Sequence, residues 1–309
     1  MMENRKDLED FWRETGWRAA KEIQGIQGWI RDYFKQHRLE YAVLGLSGGL
    51  DSSVVAAMLS NSLGGDKIMG VLLPDRDVTD SKDVEDAIHL ADKLGIKKKK
   101  YDISSLVSAF VQQDPEITDR GLGGEYRYGV QYGNLKARVR MIKLYEVSQL
   151  MSGRSVVVGT TDKSEWLMGY FTKYGDGGVD LEPILNVYKT QVRVLAKELG
   201  LPGEIISKKS SPNLVPGISA EVELGFSYEE LDLILATVVD GVGKRMSLQS
   251  SREVLSNNYG INCLTVDKVL EKISGTAHKR EMPPSPPNAR ARVRIKRAWG
   301  IDFHLSRRF

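Results

Sequence analysis

The chain has 309 residues, with 44 basic and 41 acidic side chains and a formal net charge of +3. This nearly neutral balance gives no general argument for binding nucleic acid or a membrane, and we expect neither as a partner. The single cysteine, Cys263, excludes a disulfide within the chain, and the four scattered histidines do not favour a zinc site. The charged N-terminus is unlike a secretory signal, and no apolar run approaches the roughly 20 residues of a membrane span. These features predict a cytoplasmic protein.

Predicted helices and strands alternate along the chain. Apolar residues at three- and four-residue steps predict one amphipathic helix over residues 7–36. Short apolar runs predict four buried strands, at 41–46, 68–73, 101–103 and 155–159. Helical patterns occupy 53–63, 84–94 and 134–151, while 119–133 shows no period and is predicted as loop. The alternation predicts an α/β fold whose parallel sheet is flanked by helices on both faces.

The chain shows no internal repeat, and we expect one α/β domain over residues 1–287. The proline-rich connector Met282–Pro287 leads into a basic tail, 288–309. Between Arg290 and Arg308 the tail carries seven basic residues against one acidic residue, Asp302. Such a segment is typical of a solvated or dimer-packing tail, although a basic patch can also follow phosphates.

The segment Leu44-Gly-Leu-Ser-Gly-Gly-Leu-Asp-Ser-Ser53 lies between a predicted strand and a predicted helix. Small residues let backbone N–H groups approach an anion, and a helix N-terminus adds partial positive charge. The sequence contains neither GxxxxGK[S/T] nor GxGxxG. A pyrophosphate cradle without the lysine of the former motif indicates cleavage between the α- and β-phosphates of ATP. The structural alternative is a tight turn in which Asp51 or Ser52 caps the helix.

The Ser-Gly-Gly-x-Asp-Ser loop resembles the signature of the N-type ATP pyrophosphatases, which adenylate a substrate oxygen and let a nucleophile displace AMP. Further segments resemble motifs of one family within them, the NAD synthetases. They are Asn134-Leu-Lys-Ala-Arg-Val-Arg-Met141, Val158-Gly-Thr-Thr-Asp-Lys-Ser-Glu165, Gly169-Tyr-Phe-Thr-Lys-Tyr-Gly-Asp-Gly-Gly-Val-Asp180 and His278-Lys-Arg280. The resemblance implies the adenine nucleotide alpha hydrolase-like fold. It also implies ATP-dependent amidation of deamido-NAD through an NAD-adenylate, and a homodimer.

The same resemblance implies the site residues, position by position. ATP is expected on Gly45, Leu46, Ser47, Gly48, Gly49, Leu50, Asp51, Ser52, Thr160, Lys189 and Ser211. Deamido-NAD is expected on Arg138, Lys173, Asp180, His278 and Lys279. Mg²⁺ is expected as the cofactor on Asp51 and Glu165, because carboxylate oxygens suit this hard cation. Asp176 is the candidate for placing or deprotonating the attacking nitrogen.

Several alternatives remain open at this stage. Asp162-x-x-Glu165 also resembles a helix capping box, and Cys263 is typical of a small buried hydrophobic residue. A tRNA-modifying adenylating enzyme on the same fold is the second enzyme hypothesis. The basic tail favours it, but a single cysteine does not favour sulfur relay. A nucleotide-binding regulator without activity is the third hypothesis, and the carboxylates at positions 51 and 165 argue against it.

Ammonia is the expected nitrogen donor, since one predicted helix precedes the phosphate-loop strand and leaves no room there for a glutaminase domain. The aperiodic segment 208–217, with Pro212 and Pro216, is expected to be a substrate-covering lid that shields an acyl-adenylate from water.

Overall fold

The computed structural model describes residues 8–113, 124–151, 153–208, 219–241 and 247–284. The basic tail 288–309 and Ser211 lie outside these residues. Of the predicted lid, only Lys208 lies inside them.

Four strands form one parallel sheet in the order β3-β2-β1-β4. They are β1 (Tyr41–Gly45), β2 (Ile68–Leu72), β3 (Lys97–Lys100) and β4 (Ser155–Val158). In register, Val43 of β1 pairs with Met69 on one side and with Val157 on the other. The predicted parallel sheet is therefore confirmed. The third strand was expected at 101–103 but consists of the preceding lysine run, because this edge strand is defined by its pairing with β2 and not by apolar content.

Helices connect and cover these strands. The first group is α1 (Leu8–Glu14), α2 (Ala19–His37), α3 (Leu50–Leu63), α4 (Ser81–Lys93), α5 (Ser104–Gln113) and α6 (Gly124–Leu150). The second group is α7 (Lys163–Met168), α8 (Lys189–Glu198), α9 (Gly203–Ile206), α10 (Ala220–Leu224), α11 (Tyr228–Val238), α12 (Leu248–Tyr259) and α13 (Cys263–Gly275). None of the helices in the described part of the chain is both long enough and apolar enough to cross a membrane.

Helices lie on both faces of the sheet, as predicted. Alternate residues of β1 face opposite ways, as a pleated strand requires. Ala42 and Leu44 belong to the large core formed with α2, α3 and α8. Val43 belongs to a smaller core that includes Val147 of α6. A further apolar core, built largely by α1, α11, α12 and α13, lies beside this sandwich.

Two sequence-based boundaries were wrong. The helix predicted over 7–36 is two helices, α1 and α2, separated by a turn in which Gly16 has φ +79°. The two helices pack into different cores. Trp12 of α1 belongs to the apolar core built largely with α11, α12 and α13, whereas Ile30 of α2 belongs to the large core on the sheet. The described part of the predicted loop 119–133 is also helical, because α6 already begins at Gly124. Its glycines and tyrosines conceal any helical period from the sequence.

The strand order reverses at β1. From β1 the chain moves to β2 on one side and reaches β4 on the other. In open α/β sheets, ligands bind in the crevice at the carboxyl ends of the strands where the order reverses. The phosphate loop follows β1, and Gly159 to Thr161 follow β4, so two predicted site segments flank this crevice.

Candidate active site

The phosphate loop is held by its own side chains. The Ser47 hydroxyl lies 3.0 Å from the Ser52 hydroxyl and accepts the Gly49 N–H at 3.2 Å. The Ser53 hydroxyl donates to the Gly49 carbonyl at 2.7 Å. Gly49 is the N-cap of α3, and it makes no side-chain cap. The alternative in which Asp51 or Ser52 caps this helix is therefore wrong, and the helix start remains open to an anion.

Gly48 fixes the loop against α4. Its φ is +74°, and a Cβ there would lie 2.0 Å from the carbonyl oxygen of Asp83. The Gly48 carbonyl accepts a hydrogen bond from the Lys208 ammonium at 2.9 Å. The same ammonium lies 2.6 Å from a carboxylate oxygen of Asp83 and 2.6 Å from one of Asp86. Only glycine fits here, and Gly48 faces α4, outside the lining of the cavity.

A cavity of about 800 Å³ opens over the loop. This volume lies within the range of roughly 300–1,000 Å³ that is usual for small-molecule sites. The predicted site residues that border the cavity are Gly45, Leu46, Ser47, Gly49, Leu50, Asp51, Ser52, Thr160, Glu165, Asp176 and Lys279. Those that do not reach its lining are Gly48, Arg138, Lys173, Asp180, Lys189 and His278.

Lys189 lies behind the cavity wall, fully buried, at the start of α8. Its ammonium contacts Asp51 at 2.7 Å, Glu165 at 2.8 Å and Asp162 at 2.9 Å. Burial disfavours its charge, but these three carboxylates outweigh that cost and raise the pKa of Lys189 well above its usual value. The lysine therefore joins the two expected metal ligands through a permanent positive charge.

Glu165 caps a helix and also borders the cavity. Its backbone N–H donates to Asp162 at 2.8 Å, and its Oε2 accepts the Asp162 N–H at 3.4 Å, which completes the capping box of α7. Its Oε1 contacts Lys189. The capping box is therefore confirmed, and it engages only one of the two side-chain oxygens of Glu165. Metal binding by Glu165 stays a prediction. Burial and the charge of Asp162 raise the pKa of Glu165, and Lys189 opposes the rise.

Asp51 has one carboxylate oxygen still available. Its Oδ2 contacts Lys189, whereas its buried Oδ1 has no hydrogen-bond partner among the described residues. A buried, unpaired carboxylate oxygen beside a second carboxylate fits an oxygen-preferring cation such as Mg²⁺. No group of three or more His, Cys, Asp or Glu side chains in the described ranges could hold a metal. Phosphate and water oxygens would have to complete the coordination.

The cationic residues expected at deamido-NAD form a connected group. Lys279 borders the cavity and donates to the carbonyls of Gly169 and Phe171, each at 2.7 Å. The Lys173 ammonium donates to the His278 carbonyl, and Arg138 donates to the Lys173 carbonyl at 3.3 Å. These contacts tie the residues after α13 to the stretch after α7, so the separate motifs meet at one side of the cavity.

The two aspartates of the Gly169–Asp180 motif occupy different positions. Asp176 borders the cavity and accepts the Thr172 N–H at 2.8 Å. Although Asp176 is exposed to the cavity, the surrounding protein reduces its hydration and raises the pKa of its carboxyl, and the Thr172 N–H opposes the rise. Asp180 instead accepts the Val157 N–H at 2.8 Å and the Tyr145 hydroxyl at 3.0 Å. Both carboxylate oxygens of Asp180 are thus engaged by the protein, outside the cavity lining.

The Asn134–Met141 motif forms part of the cavity wall and also supports it. Its residues that border the cavity are Asn134, Ala137, Arg140 and Met141, whereas Lys136 lies behind them. Lys136 forms a fully buried ion pair with Asp75 at 2.6 Å. The Arg140 Nε donates to the Leu73 carbonyl at 3.1 Å, at the end of β2. Asn134 accepts the Thr172 hydroxyl at 2.6 Å, next to the turn that carries Asp176.

Sequence reasoning missed Glu182. Its Oε2 accepts the Thr161 N–H at 3.1 Å, and its buried Oε1 has no partner among the described residues. A Cβ on Gly159 would lie 2.4 Å from this carboxyl group, so the glycine makes room for it. Burial raises the pKa of Glu182 to about 8. The available signal was an acidic residue two positions after the Gly169–Asp180 motif, which is too weak to single out a residue.

Cys263 was expected to be buried, and that expectation was wrong. The side chain is exposed at the first position of α13, directly after the N-cap residue Asn262.

A glycine-rich anion loop at the reversal point of a parallel sheet, beside two carboxylates and a nucleotide-sized cavity, defines a nucleotide-binding α/β enzyme. The NAD synthase family model matches residues 22–283. The chain is 41% identical to the NH(3)-dependent NAD(+) synthetase of Hyperthermus butylicus over 277 residues, which cover 90% of this chain and 94% of that protein. The protein of the same name from Methanosarcina mazei is 40% identical over 261 residues, covering 84% and 95%.

Solved structures agree with these sequence matches. The NMN synthetase of Francisella tularensis superposes with a TM-score of 0.71 at 30% identity, covering 88% of this chain and 99% of that one. The NH3-dependent NAD synthetase of Campylobacter jejuni gives 0.68 at 28% identity, covering 87% and 99%. This chain belongs to the NAD synthase family.

Proposed function

We propose that the protein makes NAD by amidating deamido-NAD with ammonia, at the expense of ATP, which leaves as AMP and pyrophosphate. The observation that carries this proposal is the meeting of Asp51 and Glu165 on one buried lysine at the edge of the phosphate-loop cavity. This arrangement puts two carboxylates that can hold a metal ion beside a loop that can bind phosphate, and a metal-bound triphosphate needs both. The names and identities of the relatives support the same activity.

In this mechanism the nicotinate carboxylate attacks the α-phosphate of ATP. The backbone N–H groups at the start of α3 stabilise the phosphate oxygens, with the Ser47 and Ser52 hydroxyls in the same loop. Thr160, on the other side of the strand crevice, is assigned to ATP as well. No protein nucleophile is needed, so catalysis rests on alignment and electrostatics.

Asp51 and Glu165 are the residues assigned to Mg²⁺. When bound, this ion would neutralise the negative charge that develops on the departing pyrophosphate. Lys189 supplies a fixed positive charge behind both carboxylates, and this charge keeps the two partly buried acids close together before substrates arrive. We therefore assign Lys189 to this supporting role, because its buried ammonium lies behind the cavity wall. The contact with ATP expected from the sequence stays a prediction.

The second half-reaction needs a nitrogen nucleophile at the activated carbonyl. Asp176 borders the cavity on the side of Lys279, and its raised pKa suits a carboxyl group that exchanges protons with ammonium. Arg138, Lys173, His278 and Lys279 provide cationic and polar groups for the dinucleotide. Asp180 is assigned to holding β4 and α6 together around this region, through Val157 and Tyr145.

Three further assignments belong to the same proposal. We propose a homodimer, because the family resemblance implies one. We propose Mg²⁺ as the metal, on the donor set described above. The cytoplasm is the proposed location, because the single cysteine suits a reducing compartment.

The test is a reconstitution with purified protein, Mg²⁺, ATP, ammonium and deamido-NAD, with nicotinate mononucleotide as a competing substrate. We expect NAD and AMP in equal amounts, and a preference for the dinucleotide. Because one similar structure is that of an NMN synthetase, a preference for the mononucleotide would reassign the substrate while keeping the chemistry. AMP formation that depends on neither nucleotide would contradict the proposal.

A further inference from the structure

A buried carboxylate on α11 connects the two helices that carry Glu165 and Lys189. Asp232 is fully buried in the middle of α11. Its Oδ1 accepts the Ser164 hydroxyl at 2.5 Å, at the start of α7. Its Oδ2 accepts the Thr190 N–H at 2.8 Å, at the start of α8. One side chain therefore bonds the first turn of each helix.

Ser164 extends this connection to the lysine itself. While its hydroxyl donates to Asp232, its oxygen accepts the backbone N–H of Lys189 at 3.0 Å. Ser164 is the residue before Glu165, and Thr190 is the residue after Lys189. The carboxylate thus bonds to both neighbours of the pair whose side chains meet beside the cavity.

Other residues of the α11 region support the same two helix starts. The Tyr228 ring, at the first position of α11, lies 5.3 Å from the Lys189 ammonium. Asp240, just after α11, accepts the Tyr188 hydroxyl and contacts the Lys163 ammonium. Asp232 differs from Asp240 in being inaccessible to solvent and in contacting no cation among the described residues.

The position is costly for an acidic residue. Burial raises the pKa of Asp232 to about 7, which reflects the free energy of holding a charge there without a cation in contact. A carboxylate, unlike an amide, accepts with both oxygens, and the site needs two acceptors because Ser164 and Thr190 both donate. This requirement gives a reason for an acid at this position.

We propose that Asp232 is a positioning residue, which fixes the starts of α7 and α8 relative to each other and thereby places Glu165 and Lys189 beside the cavity. Asp232 itself does not touch the substrates. This inference rests on the proposed function only for its kinetic consequence. Displacement of a catalytic group by about 1 Å can lower a rate about 100-fold.

The experiment compares Asp232→Asn, Ser164→Ala and their double variant with wild type. Asparagine has nearly the size of aspartate but only one acceptor oxygen. If that oxygen accepts the Thr190 N–H, the amide nitrogen must donate to the Ser164 hydroxyl, which reverses the direction of that hydrogen bond. We expect kcat to fall about 10- to 100-fold, while KM for ATP changes less than about threefold, because the phosphate loop itself is unaltered. The double variant should lose no more kcat than the more impaired of the two single variants, because both changes break the same connection.

Leu255→Val is the matched control. Leu255 is fully buried on α12, in the apolar core to which α11 also contributes, and its aliphatic side chain takes no part in the hydrogen bonds of Asp232. It should lower Tm by loss of packing and leave kcat within about twofold. A control that loses as much kcat as Asp232→Asn at an equal loss of Tm would overturn the proposal.

Hydrogen exchange provides a readout that does not depend on activity. The amides of Lys189 and Thr190 should exchange faster in Asp232→Asn and in Ser164→Ala, but not in Leu255→Val. Unchanged exchange, or kcat within about twofold of wild type, would overturn the proposal. If Asp232→Asn does not fold, Ser164→Ala decides by the same criteria. A wild-type protein that makes no NAD would overturn the proposed function, and exchange would still decide the role of Asp232.

Discussion

Individual carboxylates in this site differ in what each oxygen does. Glu165 uses one oxygen to cap α7 and the other to contact Lys189. Asp51 uses one oxygen for Lys189 and keeps the other buried without a described partner. The sequence motifs predicted Asp51 and Glu165 as metal ligands, but they could not predict that the two oxygens of each carboxylate would have different partners.

The two roles of Glu165 can be separated by Glu165→Gln. The amide oxygen can still accept the Asp162 N–H, so we expect the free energy of unfolding to fall by less than about 1 kcal/mol. Pyrophosphate release should fall about 100-fold or more, because a neutral amide is a poor replacement for a metal-binding carboxylate. Calorimetry and a pyrophosphate assay measure the two effects. Near-normal release together with a clear loss of stability would mean that Glu165 is only a cap.

We expect Glu182 to make the protein less stable as pH rises. Its folded-state pKa of about 8 lies above the value of about 4.3 for an unfolded glutamate, so the folded state binds this proton more tightly. Stability from this group is therefore present at low pH and lost as pH rises toward 8. Relative to wild type, Glu182→Gln should gain about 1–3 kcal/mol between pH 5 and pH 8.5, measured by urea unfolding.

The control for this measurement is Glu271→Gln, which changes an exposed glutamate on α13. It should follow the wild-type pH dependence. A Glu182→Gln profile parallel to that of wild type would show that Glu182 does not titrate in this range.

At the scale of elements, the local patterns predicted the strands that lie inside the sheet and the loop that follows β1. They failed where tertiary context decides. The β3 strand is a run of four exposed lysines, and its identity comes from pairing with β2. The first helix is divided because its two parts pack into different cores. Asp232 and Ser164 carried no signal, because their importance comes from contacts across 68 residues of sequence.

The lysines of β3 should protect an open sheet edge. An edge strand presents unpaired backbone groups to other chains, and charged side chains oppose such pairing. We expect Lys97→Thr/Lys99→Thr to aggregate more readily on mild heating, as measured by light scattering. The control is Lys21→Gln/Lys35→Gln, which removes two exposed charges from α2. Equal aggregation of both variants would attribute the effect to net charge instead of the sheet edge.

At the scale of the whole molecule, the strand order is the feature that organises function. Residues separated by more than 100 positions, such as Asp51 and Lys189, meet because their elements lie around the reversal point between β1 and β4. The sequence predicted this fold from alternation and motif order. It did not predict that Lys189 would lie behind the cavity wall, since burial of a lysine depends on three carboxylates brought together by folding.

The isolated chain should use ammonia and not glutamine. Glutamine use requires a nucleophile that releases ammonia. The one cysteine, Cys263, is exposed at the start of α13 and is not among the residues that border the cavity. With glutamine freed of ammonia, we expect only background NAD formation, at a pH where ammonium salts support turnover. Cys263→Ser should leave the ammonia-dependent rate unchanged. Comparable rates with glutamine, lost on Cys263→Ser, would contradict the prediction.

The serine hydroxyls of the phosphate loop have a thermodynamic consequence. Because Ser47, Gly49 and Ser52 are already bonded to one another before nucleotide binds, the loop loses little conformational entropy on binding. Rigid, ready-made donors of this kind favour affinity by lowering the ordering cost and not by adding contacts. Removal of the Ser47 hydroxyl should therefore make the calorimetric entropy of ATP binding less favourable, even where the bound loop has the same geometry as in wild type.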